Sequence, residues 1–322
     1  MQVLICGYIG GGNCGDEAIC DRLIDAIRSS GDEATLVSLS PAESQSLHRT
    51  KAVYRYSPAL LRALKECDLL ILGGGTLLQT ATSRRSALAY LTLAAMAAML
   101  HKPWVLLGGL DPLSGVARRY ARAILPTAAA FFLRDRNSLR RAKASAPRVP
   151  CLFLQDCALF PLKGVPSAKD IRPHPYILIC PKAGICIKTV QTIILRAKAR
   201  RVRWVFLAMS KDDERISAAL AKALGGVWVG AMTPYAPAYR RVRAEVILKN
   251  LPPRSPHRYF AALPCEIACR LIGSAEAVYS ARLHGLIFAQ KAGVKGYALS
   301  DGTKQWKFCA TQEQNDSFEG LP

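Results

Sequence analysis

Seven short apolar runs in the first 154 residues each end in a Gly-rich or polar turn and give way to a helical period, and this alternation restricts the chain to a small set of α/β folds. The runs cover residues 2–6, 34–39, 51–54, 68–72, 104–107, 129–133 and 151–154. Most are apolar throughout rather than alternating, which suits strands covered on both faces and therefore a parallel sheet. A proline-bearing stretch over 161–175, PLKGVPSAKDIRPHP, lacks periodicity and reads as a linker. Beyond it the same grammar resumes at 176–180, 204–208, 227–229, 277–279 and 296–299, with helices expected over 211–224 and 256–272. The expected architecture is α/β, with one doubly wound, Rossmann-like domain over residues 1–160 and a second over 176–322, facing a cleft. A chain of 322 residues suits two apolar cores. Ligands of such sheets bind at the carboxyl ends of the strands, so the turns there carry the search for chemistry.

Composition narrows the function classes. Lys and Arg number 44 against 23 Asp and Glu, a formal charge of +21. Basic clusters at Arg118/Arg119/Arg122, Arg134/Arg136/Arg140/Arg141 and Arg196/Lys198/Arg200/Arg201/Arg203 could meet nucleic acid, anionic lipid or a phosphorylated substrate. Aromatic residues are only 7% and do not interleave with these clusters as a base-stacking platform requires, so nucleic acid ranks low. The 11 cysteines lack a CxxC pair or zinc-finger spacing, and several lie in apolar runs. They read as reduced core thiols of a cytoplasmic chain, and no metal-ligand spacing is seen. Met1 leads directly into an apolar strand, so no secretory signal is expected. The most membrane-like stretch, residues 86–100, stops at His101-Lys102-Pro103 before reaching spanning length, and is expected to be a buried helix.

Three turns could carry chemistry. The first is GYIGGGNCGDE, residues 7–17, after the first strand and at the start of a helix that Asp16 could cap. Gly10, Gly12 and Gly15 satisfy GxGxxG, but no acidic residue closes the second strand, and Asp16 and Glu17 would repel a pyrophosphate. A tight turn and direct ligand contact by Gly10, Asn13, Asp16 and Glu17 are equally supported. The second turn follows the fourth strand, where Gly73-Gly74-Gly75 precede Gln79, Ser83 and two arginines, a seat for sugar hydroxyls or phosphate. The third is Ser280-Ala281-Arg282-Leu283-His284-Gly285. A lone histidine is more often structural than catalytic. Here Arg282 stands two residues away, and a guanidinium can hold an oxyanion while an imidazole moves a proton.

Five stretches in order, GYIGGGNCGDEAI at 7–19, DLLILGGGTLLQTATSRRS at 68–86, LRDRNSL at 133–139, LQDCALF at 154–160 and ARLHGLIFAQKAGV at 281–294, resemble the polysaccharide pyruvyl transferase family. Within it they are most similar to the bacterial cell-wall branch. The resemblance spans nearly the whole chain and implies a fold of the two-domain glycosyltransferase B type. It implies transfer of an enolpyruvyl unit from phosphoenolpyruvate to a saccharide acceptor, lipid-linked in that branch, as a ketal. Carried over by position, the family's functional arginine falls on Arg134, its histidine on His284 and its C-terminal lysine on Lys304. Arg282 would add a second guanidinium, with Gly74, Gly75, Gln79 and Ser83 on the substrate side. No cofactor or metal is implied. The chain departs from the family pattern at Thr80, where an aspartate is common, at Asp111 in a turn that usually reads GIGP, at Pro181–Gly184, where an arginine is expected, and in one extra residue between Asp301 and Lys304.

Two other readings share the architecture: a glycosyltransferase using a nucleotide sugar, and a non-catalytic basic scaffold or lipid-surface binding protein. Peripheral contact with an anionic membrane fits the charge under either enzyme reading.

Overall fold

The structure, a computed structural model, describes residues 1–159, 176–185, 190–191, 202–224, 226–229 and 264–299. The chain divides into two compact units, Met1–Gly11 with Asp16–Phe160, and Gly12–Gly15 with Pro161–Pro322.

The first unit is built on strands β1 (Gln2–Cys6), β2 (Glu33–Ser38), β3 (Lys51–Tyr54), β4 (Leu69–Gly73), β5 (Trp104–Gly108), β6 (Ala130–Leu133) and β7 (Cys151–Phe153). Their order across the sheet is β3-β2-β1-β4-β5-β6-β7, and every pairing is parallel. Leu4, Leu36, Leu70, Leu72 and Leu106 on the inner strands are wholly buried, as the unbroken apolar runs require of a sheet covered on both faces. Helices α1 (Cys14–Ser29), α2 (Pro41–His48), α3 (Pro58–Glu66), α4 (Arg84–Met99), α5 (Gly115–Ile124) and α6 (Arg136–Ser145) connect the strands. Their starts follow local chemistry. Proline opens α2 and α3, where its missing N–H costs nothing, and the side chains of Ser83 and Asp135 accept from Ser86 N and Ser138 N at 3.1 and 2.8 Å to cap α4 and α6.

The apolar stretch over 86–100 is the core of α4, which buries Ala87, Tyr90, Leu91, Leu93, Ala94 and Ala97. Among the described residues no helix is long and apolar enough to cross a membrane.

The second unit repeats the plan with β8 (Tyr176–Cys180), β9 (Arg203–Leu207), β10 (Val227–Val229), β11 (Ala277–Ser280) and β12 (Lys295–Ala298), all parallel, in the order β10-β9-β8-β11-β12. Helices α7 (Glu214–Leu224), α8 (Pro264–Gly273) and α9 (Leu283–Lys291) are described. All twelve described strands lie within one residue of the expected limits. The helix expected over 211–224 opens with a 3-10 turn, Lys211–Asp213, before α7. The linker over 161–175, the part of the expected helix over 256–263, and Lys304 lie outside the described residues.

Each sheet reverses its winding once, between β1 and β4 in the first and between β8 and β11 in the second. At such a point the two flanking loops leave the sheet in opposite directions and open a crevice at the carboxyl ends of the strands. The first reversal is flanked by the glycine turns that follow β1 and β4. The second is flanked by the turn 181–185 and by Ser280–Gly285.

Candidate active-site groups at the two sheet reversals

At the first reversal, α1 begins at Cys14, so Asp16 stands inside its first turn and does not cap it. That correction follows from Asn13, whose Oδ1 accepts from Gly15 N at 3.0 Å and fills the capping role. Asp16 turns instead toward the triple-glycine loop, where its Oδ1 accepts from Gly75 N at 3.2 Å. Burial pushes its carboxyl up to about 6, against the Gly75 amide that favours the charged form; Glu17 and Asp156 push further up and Arg134 pulls down. A carboxylate titrating near neutrality at a sheet reversal is suited to moving a proton.

Arg134 emerges from the end of β6 with its side chain only 11% exposed. Its Nη1 donates to Asp156, and its Nη2 donates to Thr76 Oγ1 at 3.1 Å. Burial works against the guanidinium's charge, but the Asp156 carboxylate outweighs it and raises the pKa further, so the charge is fixed. Gly74, Gly108, Arg134, Gln155 and Asp156 line a small pocket here. The glycines have a steric reason. Gly108 has φ +125°, and a Cβ on it would overlap the carbonyl oxygens of Gly74 and Gly75. Beside the pocket, burial and Asp156 push the Cys157 thiol up to about 12, which leaves it no thiolate for nucleophilic work.

Other expected contact residues have partners within the chain. Glu17 is buried, with one oxygen accepting from Gly10 N at 2.9 Å and the other on His48 Nε2 at 2.8 Å, so it is not placed to meet a substrate. Gly10 has φ +73° and packs so closely on Ser38 and Ser40 that its role is the tight turn. Ser83 is the cap of α4, and Gln79 closes a local turn by accepting from Thr82 N at 2.9 Å. Two departures from the family pattern have partners within the chain: Asp111 accepts from Arg141 at 3.4 Å, and the Thr80 hydroxyl meets Ser114 Oγ at 3.0 Å.

Sequence reasoning missed the group that holds this turn. His48, at the end of α2, has no exposed side-chain surface and lies between Asp21 and Glu17 of α1. Burial disfavours its charge, yet the hydrogen bonds and charges of Asp21 and Glu17 lift its pKa to about 9. The imidazolium thus ties α2 to α1 and, through Glu17, fixes the Gly10 turn. Its scarcity was the available signal, since the chain has only five histidines.

At the second reversal, Arg282 precedes α9 and forms a two-point ion pair with Asp213, Nε at 2.8 Å from Oδ2 and Nη2 at 2.6 Å from Oδ1. Asp213 is wholly buried and also accepts from Ala183 N at 3.2 Å. The charge of Arg282 is thus matched by a carboxylate, as is that of Arg134. His284 lies in the first turn of α9, tilted against Phe288 at 6.3 Å between ring centroids. Gly15, which groups with this unit, approaches the imidazole so closely that a Cβ on it would overlap the ring. Burial pushes the nearby Cys180 thiol up to about 12 despite its hydrogen bond with Ser280, so Cys180 is no thiol nucleophile.

The sequence model of the polysaccharide pyruvyl transferases matches residues 13–302, most of the chain. The protein belongs to that family. It is therefore a transferase, and a saccharide acceptor is implied. Among curated proteins, none matches at a significant level. The transferase is similar in structure to the UDP-GlcNAc 2-epimerase of Methanocaldococcus jannaschii, with a TM-score of 0.60 and 10% identity over 100% of this chain and 89% of that one. It is also similar to the UDP-GlcNAc 2-epimerase of Neisseria meningitidis, at a TM-score of 0.58 and 10% identity over 96% and 85%. The spinosyn rhamnosyltransferase SpnG follows at a TM-score of 0.51 and 13% identity over 100% and 86%. Likeness at this identity speaks for the fold alone, which is of the glycosyltransferase B type.

Proposed function

We propose that this transferase moves the enolpyruvyl unit of phosphoenolpyruvate onto two hydroxyls of a cell-envelope saccharide carried on a lipid, giving a pyruvate ketal and inorganic phosphate. One proton adds to the methylene carbon, which becomes the methyl group. A sugar oxygen bonds to the neighbouring carbon, the carbon–oxygen bond to phosphate breaks, and the second hydroxyl closes the ketal. Of the two hydroxyl protons, one is balanced by the new methyl hydrogen and the other leaves on phosphate.

The observation that carries the reading is the enclosed, charge-fixed guanidinium of Arg134 close to a carboxylate lifted to about 6, at a sheet reversal of a chain in this family. Arg134, clamped by Asp156, is suited to hold a donor oxyanion without reorganising as charge moves to the leaving phosphate. Asp16 is suited to take the proton of the attacking hydroxyl, since it is mostly ionised at neutral pH yet basic enough to accept. His284 is assigned proton delivery to the methylene carbon. Arg282 and Lys304 are assigned further contacts with the donor's carboxylate and phosphate. Metal and cofactor have no part in the proposal.

Thermal unfolding with phosphoenolpyruvate, UDP-sugars or neither separates this from nucleotide-sugar transfer. Saturation at a hundred times Kd stabilises a fold by about 2.7 kcal/mol, easily seen as a shifted Tm. Stabilisation by phosphoenolpyruvate and not by UDP-sugars is expected, and the reverse would overturn the donor assignment.

A further inference from the structure

We infer that the outward face of α5 and α6 docks the enzyme on an anionic phospholipid surface. The two helices carry seven Arg and Lys and no acid: Arg118, Arg119 and Arg122 on α5, and Arg136, Arg140, Arg141 and Lys143 on α6. In the same unit, α1, α2 and α3 together carry six acids and four Arg or Lys, so the signs are segregated by helix rather than mixed over the surface. Mixed signs are what solubility alone calls for.

The cations lie on one surface. Helix α5 joins β5 to β6 and α6 joins β6 to β7, two right-handed crossovers stepping the same way across the sheet, which sets the helices side by side on one face. Ala121 of α5 and Ala142 of α6 point into the same core cluster, which fixes what points outward. On α5, Ala117 and Ala121 are buried while Val116, Arg118, Arg119 and Arg122 are exposed. On α6, Ser138 and Ala142 are buried while Arg136, Arg140 and Lys143 fall at a spacing of four and three, one exposed stripe. Arg141 is paired with Asp111, and the one carboxylate between the helices, Asp135, caps α6. Among the described residues, none of the six exposed cations is in an ion pair. Like charges gathered on one face of the sheet repel one another, and an anionic surface would relieve that repulsion.

Charge complementarity selects the occupant. A duplex groove admits a protruding helix or ribbon, whereas α5 and α6 lie flat on the sheet. Single strands call for exposed aromatic platforms, and the one aromatic side chain on these helices, Tyr120, is half-buried. A lipid surface matches a flat array of cations, and the exposed Val116 at its edge adds an apolar contact. This inference stands apart from the donor and acceptor assignments and holds or fails without them.

The test is co-sedimentation of the full chain with vesicles of phosphatidylcholine alone and with an equal part of phosphatidylglycerol. Binding is expected only with phosphatidylglycerol and should fall steeply with salt. Each cation contributes a factor of about five near an anionic surface, so the triple variant Arg118→Gln/Arg119→Gln/Arg122→Gln should weaken partitioning on the order of a hundredfold at low salt. The variant Arg136→Gln/Arg140→Gln/Lys143→Gln should do likewise. These side chains are exposed, so an unchanged unfolding temperature is expected for both. Arg62→Gln/Lys65→Gln on α3 serves as a charge control and should keep most of the binding. Three results would overturn the inference: equal binding to both vesicle types, an equal loss in the control, or duplex DNA displacing the protein from phosphatidylglycerol vesicles.

Discussion

Replacing Asp16 by asparagine separates a functional carboxylate from a structural one. The Asp16 carboxyl is lifted from its ordinary 3.8 to about 6, chiefly by burial. At about 1.36 kcal/mol per unit, the ionised form weakens the fold by roughly 3 kcal/mol above pH 7. The sign follows from linkage. A folded pKa above the unfolded one gives stability that is complete below pH 3.8 and lost as pH rises through about 6. Asparagine keeps an oxygen to accept from Gly75 N but carries no charge to desolvate. Asp16→Asn should therefore match the wild type near pH 4 and exceed it by about 1–3 kcal/mol at pH 8, the range allowing for relaxation around the new amide. Urea unfolding across that pH range measures the difference. Turnover at pH 8 should fall by the 10²–10⁴-fold that loss of a general base typically costs. A variant less stable than wild type at pH 8, or one with unimpaired turnover, would refute the reasoning.

Three further expectations follow from the geometry. His48 has a folded pKa of about 9 against an ordinary 6.5, so the tie it makes contributes about 3 kcal/mol below pH 6.5 and loses it as pH rises through 9. The stability gap between wild type and His48→Gln, followed by thermal unfolding, should narrow over that window; a constant gap would show that the imidazole is not charged. Asp156→Ala leaves Arg134 enclosed without its carboxylate and should destabilise by about 3–5 kcal/mol, whereas a loss under 1 kcal/mol would place Arg134 in water. Gly15→Ala drives a Cβ into the His284 ring and should depress turnover at least tenfold with little change in unfolding temperature, and normal kinetics would show that the ring has room to move.

The strands were legible because burial on both faces leaves an unbroken apolar run, and the Gly or polar residues after each run mark where it must turn. The parallel, doubly wound plan followed from the helical spacing between runs. Legibility fell where a side chain's partner is distant in sequence. Arg134 meets Asp156 across 22 residues, His48 meets Asp21 across 27, and Arg282 meets Asp213 across 69. Spacing rules reach only to neighbours three or four residues away on a helix, or two away on a strand, so they could flag these arginines and not the carboxylates that hold them. Asp213 follows the end of β9 in a run of acids, and Asp156 lies within a motif that marked the family, so both had signals. The cap of α1 falls on Asn13 rather than Asp16 because the helix begins two residues earlier than the acidic pair, a boundary that composition alone does not fix.

The central claim is that a fixed guanidinium and a near-neutral carboxylate at the first sheet reversal serve transfer from phosphoenolpyruvate. Phosphate release from phosphoenolpyruvate, followed with a panel of lipid-pyrophosphate disaccharides, tests it most directly. Release should require an acceptor, should be matched one for one by ketal formed, and should be lost in Arg134→Ala and in His284→Ala. Wild-type release in those variants, or turnover of UDP-sugars in place of phosphoenolpyruvate, would contradict the account.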